Sequence, residues 1–121
     1  MVTKLAYDYD RQGDSLFIYS VEEYEYEVSL ELDNDVILDI DKEGNPVAFE
    51  FLNASKLFHL EKSYFKNLIK ITVKSTVTDE SIKLTAELVV PVHNKTQIFD
   101  INRITSNLTG IPETESELAT A

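Results

Sequence analysis

Apolar and polar side chains alternate with a period of two along most of this chain, a period that predicts strands rather than helices. The richest stretch is VILDIDKEGNPVAFEFL, Val36 to Leu52. Its two apolar runs flank Lys42-Glu43-Gly44-Asn45, a group suited to a tight reversal with a positive φ angle, and the whole reads as a β-hairpin. Opposed residues in a hairpin share a face of the sheet. A four-residue loop therefore sets Ile40 against Val47, Leu38 against Phe49 and Val36 against Phe51 on one apolar face. Asp41 then opposes Pro46, Asp39 opposes Ala48 and Ile37 opposes Glu50 on the other. A slip of one residue would put aspartates against Val47 and Phe49, so the hydrophobic pattern selects the register.

The same period extends to both sides. Leu5, Tyr7 and Tyr9 share one face of a first strand, Arg11-Gln12-Gly13-Asp14 is a turn by composition, and Leu16 to Val21 forms a second strand. Tyr24, Tyr26, Val28, Leu30 and Leu32 then alternate with Glu23, Glu25, Glu27, Ser29 and Glu31. A helix would scatter those glutamates, whereas a strand collects them on one wet face and leaves the tyrosines half-buried. Asp33-Asn34-Asp35 turns the chain into the hairpin. After Leu52 the period changes. Asn53 is placed as an N-cap, and Leu57, Phe58, Leu60, Tyr64, Phe65 and Leu68 recur at helical spacing, which predicts one or two short helices covering the apolar face. Strands resume with Ile71, Val73 and Val77, turn at Thr78-Asp79-Glu80-Ser81, and continue through Ile82, Leu84, Ala86, Leu88 and Val90 to a last strand over Gln97 to Ile101. The predicted fold is mainly β, bordering on α+β: an antiparallel meander sheet of about six or seven strands. Residues 1–103 form its single domain, and 104–121, with no sustained period, form an acidic, frayed tail.

Particular residues along this path form a known pattern. Tyr7-Asp8-Tyr9-Asp10, Gly13-Asp14-Ser15-Leu16-Phe17-Ile18, Val36-Ile37-Leu38-Asp39-Ile40-Asp41, Gly44, and Phe49-Glu50-Phe51-Leu52-Asn53-Ala54-Ser55-Lys56 together resemble the small uncharacterised proteins grouped as domain of unknown function 2283. The resemblance covers about residues 4–58. The chain departs from the family pattern at Phe51, where isoleucine is usual, and in its acidic insert Glu22 to Glu31. The resemblance implies a compact β-rich fold and no established activity.

Charge narrows the possible partners. The net charge is -11, and residues 1–53 hold 14 acids against 3 bases, whereas residues 54–103 hold 5 acids against 8 bases. An acidic first half is repelled by phosphate backbones and the lysines recur singly, so no nucleic-acid partner is expected. The two unlike halves suit self-association or a protein partner. Cysteine is absent, which removes disulfides and thiolate chemistry. No apolar run approaches a membrane span or a secretory leader, so a soluble, cytoplasmic protein is expected, with no membrane partner. The Asn-x-Ser/Thr triplets at Asn53, Asn94 and Asn107 are then read as chance.

Candidate chemistry is sparse. With glycine only at 13, 44 and 110, no phosphate-cradling loop, nucleophile elbow or dinucleotide fingerprint can be built. His59 and His93 lack neighbours at ligand spacing. Asp39 to Glu50 nearly fits an EF-hand calcium loop, but its flanks are strands, and Glu43 and Pro46 break the pattern. A different divalent site remains open, because Asp39, Asp41 and Glu50 share the polar face of the hairpin. These three are the metal-ligand candidates, and no catalytic or cofactor-binding residue is assigned. The function expected is a non-enzymatic protein-interaction module that self-associates as a homodimer, with calcium or magnesium binding as the alternative.

Overall fold

The computed structural model describes residues 3–120. Within them lie β1 (Thr3–Asp10), β2 (Ser15–Ser20), β3 (Tyr26–Leu32), β4 (Val36–Asp41), β5 (Pro46–Phe51), helix α1 (Ala54–Phe58), a 3-10 helical turn (Lys62–Lys66), β6 (Lys70–Val77), β7 (Ser81–Val92), β8 (Lys95–Ser106) and β9 (Thr114–Thr120). All nine strands join one sheet in the order β3-β4-β5-β2-β1-β9-β6-β7-β8. The class is mainly β, as the period of two predicts, but the strands do not follow one another as a single meander. Two meanders, β3-β4-β5 and β6-β7-β8, flank the β1-β2 hairpin, and β9 closes the gap between β1 and β6.

The residues expected to fray therefore hold the sheet together. Strand β9 runs parallel to β1 over Thr3↔Leu118 to Leu5↔Thr120 and antiparallel to β6 over Thr72↔Ala119 to Val77↔Thr114. Hydropathy does not reveal it, because Thr114 and Ser116 point inward beside Leu118 and only the last is a large apolar residue. Main-chain bonds on both sides, more than side-chain burial, define this strand.

In the central hairpin Val36↔Phe51, Ile37↔Glu50, Leu38↔Phe49 and Asp39↔Ala48 pair as the alternation requires. Near the turn the register shifts, and Ile40 lies opposite Pro46 instead of Val47. The cause is local. The Asp41 carboxylate accepts hydrogen bonds from the N–H groups of Glu43 and Asn45, each at 2.9 Å, tightening the loop by one residue. Strand β3 begins at Tyr26, opposite Asp41 at the very end of β4. Tyr24 and Tyr26 thus overhang the sheet and are 38% and 56% exposed, not half-buried as the alternation suggests. Two short helical segments follow Leu52 as expected, yet Asn53 enters α1 at φ 52° without a side-chain cap bond.

Phe49, Phe51, Leu16, Ile18, Leu38, Ile71, Leu84 and Leu88 fill the concave face, and Phe58 and Phe65 descend on them from the helical segments. Each such side chain contributes about 1.5–3 kcal/mol on leaving water. The sheet curls around this core until β3 comes near β8 without pairing with it. Arg103 on β8 reaches the β3–β4 turn, its Nε and Nη2 donating to the two carboxylate oxygens of Asp35 at 3.0 and 2.8 Å. This planar, two-point pair fixes the curl.

Two stability changes follow. Leu118→Ala should cost about 2–5 kcal/mol in urea unfolding, the range for a buried leucine, where a frayed tail would give none. Ser75, buried on β6, has a hydroxyl with no hydrogen-bond partner among the described residues. Ser75→Ala should therefore stabilise the protein by about 1 kcal/mol, read as a rise in Tm of roughly 3–5 °C.

Candidate functional site

The three proposed metal ligands do not converge. Asp39 accepts from Ser29 Oγ at 2.6 Å, Asp41 serves its own turn, and Glu50 accepts from Ser15 Oγ at 3.2 Å. Asp39 sits across from Ala48 and Glu50 across from Ile37, so the pleat spreads the carboxylates along the strands and each has a neutral partner. Among the described residues no group of three or more His, Cys, Asp or Glu side chains is placed to share one ion. The shared polar face is real, but a common face is a weaker condition than a common point.

A different cluster does converge, and its members lie far apart in the chain. Asp14 occupies the turn after β1 with φ 52° and is only 8% exposed. Its Oδ1 accepts the Tyr9 hydroxyl at 2.7 Å and the Ser55 N–H at 3.0 Å, and its Oδ2 accepts the Ser55 hydroxyl at 2.6 Å. The Asp14 carbonyl also accepts the Ala54 N–H at 2.9 Å. One residue thereby ties the β1–β2 turn to the first turn of α1. Tyr9 is held from the other side by Phe65, whose ring stacks on it at 4.6 Å.

Burial works to raise the pKa of the Asp14 carboxyl, but the bonds from Ser55 and Tyr9 and the positive charge of Lys62 outweigh it and hold the group below its ordinary 3.8. Burial, then the bond and charge of Asp14, push the Tyr9 hydroxyl above its ordinary 10.0. The cluster therefore stays a carboxylate flanked by two hydroxyl donors across the neutral range. A carboxylate stabilised in this way is a weak base, so Ser55 is anchored and not activated as a nucleophile. The arrangement suits a clamp. Sequence reasoning missed it because Asp14 reads as a turn residue and Ser55 as the start of a helix, and only their shared place in the family pattern links them.

The surface offers open clefts. One of about 440 Å³ is lined by Glu23, Tyr24, Glu25, Asp41, Lys42 and Glu43, with Lys42 Nζ 3.3 Å from Glu25. A second, of about 380 Å³, adds Glu22, Glu115 and Ser116 to Glu23, Tyr24, Asp41 and Glu43. Carboxylates make up most of the first lining, and five of the twelve residues of the second. His59, the left-handed C-cap of α1, borders a shallow groove with Ser55 and Lys62, and His93 sits in the β7–β8 turn with φ 49°.

A family model described as "Protein of unknown function (DUF2283)" matches residues 6–55, and two relatives match over more of the chain. One, from Methanosarcina mazei, is 38% identical over 95 residues, which span 78% of this chain and 74% of the relative. The chain belongs to the DUF2283 family. That relative bears the name "Putative hypoxanthine phosphoribosyltransferase". Another, "Uncharacterized protein MJ0789" of Methanocaldococcus jannaschii, is 40% identical over 86 residues, 70% of this chain and 72% of its own. No solved structure matches the chain. The DUF2283 match begins within β1 and ends at Ser55, so it contains all three members of the clamp. Because 95 aligned residues exceed that segment, the likeness to the first relative continues beyond the DUF2283 match.

The clamp gives a pH-dependent prediction. A carboxyl whose folded pKa is depressed adds stability above its unfolded value and loses it as pH falls through the folded one. Asp14→Asn should cost about 2–3 kcal/mol at pH 7, as expected when charge-assisted bonds to a buried carboxylate are lost. Urea unfolding repeated toward pH 3 should show the gap between variant and parent closing.

Proposed function

We propose that this DUF2283 protein is a non-enzymatic, cytoplasmic interaction module that self-associates through the edge of its sheet. The supporting observation is β8. It is an edge strand of 12 residues, paired with β7 alone and without a register break from Ser81↔Ser106 to Val92↔Lys95. It carries Ile98 and Ile104, 65% and 53% exposed. A long, regular edge with apolar side chains is a template for another strand, and proteins that remain solitary blunt such edges with charge or bulges.

The other edge is blunted in just that way. β3 is short, shifts register between Tyr26 and Val28, and exposes Glu27 and Glu31. The contrast between the two edges favours association at β8.

The name of the Methanosarcina relative would ask this chain to hold a phosphorylated sugar. The cleft lined by Glu23, Glu25, Asp41 and Glu43 would repel one. Calcium or magnesium binding by Asp39, Asp41 and Glu50 finds no supporting geometry. Among the described residues no helix is long and apolar enough to cross a membrane. Light scattering on a size-exclusion column at about 100 μM, well above a micromolar dissociation constant, should give twice the 13.8 kDa of one chain. A single-chain mass at that concentration would refute self-association.

A further inference from the structure

We infer that two copies of this chain join β8 to β8 antiparallel about a two-fold axis at Ile101, extending each nine-stranded sheet into a continuous one. The inference rests on the self-association reading and assigns its surface and register.

Hydrogen-bond direction sets which registers are possible. The β7–β8 turn has two residues, His93 and Asn94, at φ 49° and 64°, between the paired Val92 and Lys95. In such a hairpin the flanking pair is the first hydrogen-bonded one, and bonded pairs then recur at every second residue. Gln97, Phe99, Ile101 and Arg103 therefore bond to β7. The main-chain groups of Ile98, Asp100, Asn102 and Ile104 point to the open edge, where the Asn102 carbonyl now accepts from Arg103 Nη1 at 2.8 Å and would exchange that bond for one from the second copy. Only registers that pair these even-numbered residues with one another can form a ladder with a second copy.

Side-chain chemistry selects among those registers. Centring the axis on Asp100 sets two aspartates face to face, centring it on Arg103 opposes two arginines, and centring it on Phe99 places Ile98 against Asp100 and Lys95 against Arg103. Centring it on Asn102 opposes Asp100 to Ile104. With the axis at Ile101, Ile98 of each copy meets Ile104 of the other, Asp100 meets Asn102, and Phe99 meets Arg103 as an aromatic–cation pair. Every pair is compatible, and the two most exposed apolar side chains of the strand cover each other. Ile98 already lies beside Val89 on β7, so the new contact extends that apolar pair on the outer face. Arg103 turns the opposite way, toward Asp35, leaving that face clear.

Paired substitutions test this on the full chain. I98K and I104E, made singly, should each shift the light-scattering mass from dimer to monomer, since each leaves a charge against an isoleucine. Together they should restore the dimer, because the introduced lysine of one copy meets the introduced glutamate of the other. Both sites are exposed, and circular dichroism checks that each variant folds. In the parent protein the amide hydrogens of Ile98, Asp100, Asn102 and Ile104 should exchange slowly at high concentration and fast on dilution. A parent that is monomeric throughout would sink the self-association reading itself. A dimer unchanged by either single substitution would leave self-association standing and overturn its placement at β8. Open-ended polymers would indicate a head-to-tail contact and overturn the two-fold. Protection independent of concentration would mean that β3 of the same chain covers this edge, and would overturn the inference equally.

Discussion

The architecture depends on main-chain pairing of β9 with two neighbours at once. Without it β1 and β6 would each present a bare edge to the other across the width of a strand, and the sheet would separate into a five-stranded N-terminal part and a three-stranded C-terminal part. Neither part has an obvious substitute for the lost partner. The side chains of β9 contribute modestly, since Leu118 is its one large buried residue. Its geometry is decisive: parallel to β1 and antiparallel to β6, it converts two local meanders into a single curved surface with one hydrophobic interior.

The Asp14 clamp works on a smaller scale but by a comparable logic. Its carboxylate gathers donors from β1 and from the entrance of α1, and those donors leave it ionised in a nearly dry setting. Leu57 and Phe58 of α1 can then lie over the end of the curled sheet near Phe51 and Phe65. The segment 6–55 contains both ends of the clamp, a polar tie beneath a helix.

Much of this was readable from the amino-acid sequence, for reasons particular to each element. Strands β2, β4 and β5 carry branched or aromatic residues at every second, buried position, and β6 and β7 do so except at Ser75 and Ala86, so their faces and the Val36↔Phe51 and Leu38↔Phe49 pairs followed from the alternation. The glutamates of β3 fell on the wet side as expected, but Tyr26 did not follow Val28 inward, because nothing in a strand's own residues says where its neighbour stops. β9 escaped notice because threonine and serine stand where larger apolar residues would have signalled a strand. Sheet order was equally hidden, since pairing between distant strands leaves no periodic trace in either. For the carboxylates at 39, 41 and 50, alternation assigns a face correctly and says nothing about whether three groups meet at one point.

The central position of β9 bears on how the molecule is made. Thr3 pairs with Leu118, so nearly the whole chain must be present before the gap in the sheet can close. The early hairpins can form within their own segments, but β1 must wait with one side unsatisfied while the intervening residues fold. Contacts this remote in sequence carry a large loop-closure cost and slow the final step. The period between emergence of β1 and arrival of β9 is when this acidic protein is most vulnerable to pairing with the wrong strand, and the negative charge concentrated in its first half supplies repulsion between growing chains during that interval.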